Sequence, residues 1–155
     1  MREILFRGQT RKYGEKVRMG DGQKLPGRWV YGGVLQGVGV HSIIYGGEKE
    51  NDPSVGLDKW VVYTDTLGQF TGLTDKNGKK IFEGDIVVYD NTPYNAYGHR
   101  LTGVIVWHKW AWRFRYTEYG STYHYSAGTE DFFGAKSEVI GNIHDNPELL
   151  EASHD

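Results

Sequence analysis

The chain has 155 residues, no cysteine and a formal net charge of −2. Those values exclude disulfides and thiolate metal sites, and give no general electrostatic pull toward nucleic acid or anionic lipid. An aromatic fraction of 14%, with 22 glycines against 4 prolines, favours many short strands joined by turns over a helical bundle.

The length suits one domain able to bury a real core. Residues 1–66 read as an N-terminal β subdomain, or alternatively as a smaller second lobe. Strand patterns fall at 2–8, 28–35, 39–45 and 59–64, and the polar, basic stretch 9–24 reads as a loop or hairpin tip. Met1 leads into a short segment with no long apolar run, so neither a signal peptide nor a membrane span is expected and a cytoplasmic location is the default.

Residues 67–144 carry the clearest β signals and are expected to form a twisted, SH3-like or partly open barrel. Strands are expected at 80–89 and 102–108, joined by a loop over 90–100. The segment from Trp110 to Thr117 alternates strictly. Trp110, Trp112, Phe114 and Tyr116 would share one face, with Ala111, Arg113, Arg115 and Thr117 on the other. A last strand at 137–143 would place Val139, Gly141 and Ile143 together. Asn146 then reads as a helix N-cap and Pro147 as the first helical position, opening a short helix within 145–152. The whole is a mostly β (α+β) domain.

Catalytic signatures are missing. The glycines between Gly32 and Gly39 lack the spacing of a phosphate loop and read as bends in or between strands. Histidines 41, 99, 108, 124, 144 and 154 form no ligand motif, although His108 and His124 would approach each other if 107–125 folds as a hairpin. Glu83 and Asp85 could pair as catalytic carboxylates. The competing reading is a turn in which Gly84 takes an unusual backbone angle and Asp85 accepts local amide hydrogens. No cofactor or metal site is expected, and the chain is not expected to be an enzyme.

The most suggestive segment for binding is basic and aromatic. Between His99 and Tyr116 lie Arg100, Lys109, Arg113 and Arg115 and no acid. Aromatic platforms with cationic neighbours are used by single-stranded nucleic-acid binders. Against that, strict alternation puts the rings on a core face and the arginines on the solvent face. Residues 2–28 hold eight basic residues against three acids, whereas 137–155 hold five acids and no Lys or Arg. Such opposed patches suit head-to-tail self-association as well as nucleic acid.

One block is distinctive: Gln69 to Tyr89, QFTGLTDKNGKKIFEGDIVVY. Together with the opening Arg2–Gly8, the strand Gly103–Trp107 and the closing Glu138–Leu150, it resembles the YopX family of phage and prophage proteins. Residues 9–58 and 108–135 match only loosely. The resemblance implies one YopX-like domain over 1–155, in a phage-encoded cytoplasmic accessory protein that self-associates. It brings no catalytic residues. Expected partners are a second copy or a host or phage protein, with nucleic acid on Arg100, Lys109, Arg113 and Arg115 as the alternative.

Overall fold

The computed structural model describes residues 3–10, 29–36, 41–45, 59–90, 100–128 and 133–151. The expected loop at 9–24 (beyond Thr10), the glycines at 37 and 39, His99 and His154 lie outside them. The chain divides into two compact units, Glu3–Gln69 and Phe70 onward. All sheet pairing is antiparallel and no barrel closes among the described residues.

In the first unit, β1 (Phe6–Gln9), β2 (Trp29–Leu35), β3 (His41–Tyr45) and β4 (Lys59–Tyr63) lie in the order β4-β3-β2-β1. Gly68 and Gln69 pair with the free side of β1. Alternation buries Val30, Ile44 and Val62 as the core, with Phe6, Val34, Trp60 and Leu67 packed around them. Several of its buried hydroxyls are hydrogen-bonded. The Thr66 hydroxyl accepts the Gln9 amide at 2.8 Å and donates to the Tyr63 carbonyl, and the Ser42 and Thr64 hydroxyls bond at 2.8 Å.

The second unit holds a five-stranded sheet in the order β10-β9-β8-β7-β11. Its strands are β7 (Asp85–Asp90), β8 (Arg100–His108), β9 (Ala111–Glu118), β10 (Ser121–Ser126) and β11 (Ser137–Asn142). A hairpin of β5 (Gly68–Thr74) and β6 (Lys80–Phe82) contributes Leu73 and Ile81 to the core. Val87, Tyr89, Ile105, Phe114, Ala127 and Phe133 complete it, and Phe133 stacks on Tyr89 at 5.2 Å.

Three expectations needed correction. The strand pattern at 80–89 is broken by a turn at Glu83-Gly84, where Gly84 takes φ +84 and Asp85, 1% exposed, accepts the Phe82 amide at 2.8 Å. This is the turn reading of Glu83 and Asp85. Val139, Gly141 and Ile143 do not share a strand face, because a register shift falls between Val139 and Gly141 and β11 ends at Asn142. Trp110 is not a core residue. It sits in the β8–β9 turn at φ 64 and is 90% exposed.

The C-terminal helix α1 (Glu148–Glu151) is short, as expected. The Asn146 carbonyl accepts the Leu149 amide, while its side chain reaches back to the Asn142 amide at 3.4 Å.

Candidate functional site

The register of the five-stranded sheet decides which side chains meet. Arg115 lies between Val104 on β8 and His124 on β10, and Arg113 lies between Val106 and Ser126. His108 is opposite Ala111. Because side chains alternate, His108, Arg113, Arg115 and His124 share the face turned away from Phe114. The imidazoles of His108 and His124 stack with centroids 4.0 Å apart and planes 9° apart. Parallel rings do not converge their nitrogens on one ion. No group of three or more metal-ligating side chains is placed to hold a metal among the described residues.

The field on this face is positive. Burial, then the charges of His108, Arg115, Lys109 and Arg113, hold the His124 pKa below its ordinary 6.5. Lys109, Arg113 and Arg115 make no ion pair among the described residues. Toward the middle of the sheet the same face is buried at Ile86 and Val104, so the cationic group occupies the end near β9 and β10.

Arg100 stands apart. It begins β8, eight residues from His108, or roughly 26 Å along an extended strand. There it lines a cleft of about 230 Å³ with Lys76, Val88, Asp90, Ala135, Lys136 and Glu138. Two acids in that lining dilute its charge. Of the four residues singled out in the sequence, Lys109, Arg113 and Arg115 come together and Arg100 does not.

The opposite face carries the rings. Trp107 and Trp112 meet edge to face at 4.9 Å, Tyr116 stacks on Tyr123 at 5.4 Å, and Tyr125 lies 5.4 Å from Tyr89. Burial, then the neighbouring Glu118, Tyr123 and Tyr125, pushes the Tyr116 hydroxyl above its ordinary pKa. Rings and arginines therefore lie on opposite sides, as alternation requires.

Sequence reasoning missed β10. Its residues, STYHYS, contain no aliphatic side chain, and Ser121 to Tyr125 are all exposed. The signal was the hairpin tip: Tyr119 and Gly120 both take positive φ, 50 and 75, the geometry of a two-residue type I′ turn. As the last strand of its sheet, β10 has no partner on its outer edge among the described residues.

The family of YopX proteins matches residues 34–151, which take in all of this sheet. The chain belongs to the YopX family. No curated protein matches it. Among solved structures, the crystal structure of protein EF1440 from Enterococcus faecalis is similar at 23% identity and a TM-score of 0.45, covering 97% of this chain and 99% of that one. On this YopX-family chain the distinctive block 69–89 is structural. It supplies the β5–β6 hairpin, the Asp75 turn and β7. No helix among the described residues is long and apolar enough to cross a membrane.

Proposed function

We propose that this protein is a non-catalytic self-association module, a cytoplasmic accessory protein of phage or prophage origin, whose contact element is β10. The observation that carries the reading is the bare outer edge of a strand exposed along five consecutive residues. Edge strands are ordinarily protected by lysine, proline, bulges or a covering segment. β10 contains no Lys and no Pro and pairs with β9 without a register shift.

The occupant best suited to that edge is a second copy. Around His124 the strand reads nearly the same in both directions: Tyr123 and Tyr125 flank it, and two hydroxyl residues, Thr122 and Ser126, flank those. A two-fold axis pairs residue i with j and j with i. Antiparallel pairing centred on His124 thus sets Tyr123 against Tyr125 of the partner and Thr122 against the partner's Ser126. Hydrogen-bond phase agrees with that centre. In a two-residue hairpin the flanking pair, Ser121 and Glu118, exchange bonds, so the next residue along and every second one after it turn outward. Thr122, His124 and Ser126 then present their N–H and C=O groups to the partner, giving about six intermolecular bonds.

The test is light scattering coupled to size exclusion over a concentration series, on the wild type and on Thr122→Lys/Ser126→Lys. The wild type should form dimers and the double variant should stay monomeric, because each new lysine faces its like across the axis. A wild type that is monomeric into about the millimolar range, where even weak edge pairing would show, overturns the reading. So does association that the two lysines leave unchanged.

A further inference from the structure

The turn between β8 and β9 has a conformation its sequence does not favour. Lys109 and Trp110 take φ 47 and 64, the left-handed values of a type I′ turn that Asn and Gly ordinarily fill. Neither residue is of that kind, and the Trp110 indole is 90% exposed. A strained turn that holds a large apolar ring in water has no structural use in the core. Strained backbone and exposed rings gather at binding sites. Here the ring follows Lys109 directly and stands at the end of the sheet where His108 meets Ala111.

That end is where the cations without an ion pair among the described residues lie. Arg113 and Arg115 follow two residues apart on the same face, roughly 6.6 Å along the strand. Their spacing is of the order of that between successive phosphates of an extended nucleic-acid strand. On the monomer the rings of the opposite face cannot assist these cations, but Trp110, in the turn, is not bound by strand alternation. Cations that track a backbone, with an aromatic ring on which a base stacks, are the two parts of a single-strand site.

We infer that Lys109, Arg113 and Arg115, with Trp110 as the stacking ring, form a binding site for single-stranded nucleic acid. The site is complete in one chain and does not depend on pairing through β10. Lys109, Arg113 and Arg115 supply the phosphate contacts, and the His108–His124 stack lies among them. Contacts to phosphates and to a ring face carry no base-edge readout, so the site is expected to bind without sequence preference. Arg100 takes no part, being held at the other end of β8 among Asp90 and Glu138.

The experiment is fluorescence anisotropy with an oligothymidylate of about twenty nucleotides, the corresponding duplex, and heparin as a polyanion without bases. With about three phosphates engaged, affinity for the single strand should fall roughly twenty-fold between about 50 and 200 mM salt. Arg113→Glu/Arg115→Glu should weaken it at least about tenfold, and the milder Arg113→Gln/Arg115→Gln by less, with unchanged circular dichroism as the check on folding. Trp110→Ala should cost about fivefold or more on the single strand and nothing on heparin. Thr122→Lys/Ser126→Lys should bind at least as well as the wild type, which separates this site from the self-association edge. No binding by the folded wild type at low salt overturns the assignment. Affinity for heparin or duplex equal to that for the single strand, with Trp110→Ala without effect, overturns it equally.

Discussion

At one edge of the five-stranded sheet β11 is sealed, and at the other β10 is left open. The seal is a set of long-range contacts from the β5–β6 turn to β11. The Asp75 carboxylate accepts the Val139 amide at 3.0 Å with one oxygen, and the Asn77 and Lys79 amides at 2.9 Å with the other. The Lys76 amide donates to the Ser137 carbonyl at 3.0 Å, and its ammonium pairs with Glu138. A register shift after Val139 further disrupts the ladder there. β10 has none of these devices among the described residues. A chain that closes one edge so thoroughly leaves the other open for a reason, and pairing with a second copy supplies one.

The largest effect should come from breaking the seal. Asp75→Ala leaves three amides without their acceptor and should destabilise the protein by about 2–4 kcal/mol in chemical denaturation. A loss below about 0.5 kcal/mol would mean that β11 is held by other contacts. The same carboxylate gives acid sensitivity. Burial alone would raise its pKa, but the amides of Val139, Lys79 and Asn77 and the charge of Lys79 more than offset this and leave it below 3.8. Its folded pKa being depressed, its stabilisation is present above about 3.8 and lost as pH falls through the lower folded value. Asp75→Ala should therefore show a shallower acid-unfolding profile than the wild type.

The open edge should respond in a higher pH window. His124 also has a depressed pKa, so the folded chain prefers its neutral form, and that preference is felt as pH falls through 6.5. At the proposed axis two such rings are neighbours. Sedimentation should show self-association weakening several-fold as pH falls from about 7.5 to about 5.5, as the imidazoles gain charge. His124→Gln should remove that dependence while keeping the pairing. The smallest effect belongs to the hairpin tip. Gly120 takes φ +75 with open space around it, so Gly120→Ala should cost about 1 kcal/mol, all of it backbone strain.

Much of this contrast was legible in the sequence, and the exceptions have physical causes. The turns were readable because Asp75-Lys76-Asn77-Gly78 and Glu83-Gly84-Asp85 are turn chemistry acting over a few residues. The seal on β11 was not, because Asp75 and Lys76 reach Val139, Ser137 and Glu138 across more than sixty residues of sequence. Alternation from Trp112 to Thr117 placed Phe114 inside and Arg115 outside, as found. Trp110 was misplaced because alternation was carried one residue past the strand end into a turn that its residue types do not announce. β10 was invisible because a strand exposed on both faces carries no hydrophobic period, only a pairing with β9. The drawing together of His108 and His124 rests on that same hairpin.

The reading of β10 in both directions has one more consequence. A pairing shifted by a single residue would turn the partner over and set Tyr123 among the histidines. Pairing centred on His124 keeps the two sides unmixed. Two sheets would then merge into one plate of ten strands, with the cationic groups of both chains brought together at the seam on one side and the rings of β9 and β10 on the other. On the cationic side a row running Arg115, His124, His124 of the partner subunit and Arg115 of the partner subunit crosses the seam. Length of track for an extended ligand would in that way be set by assembly rather than by the fold of one chain.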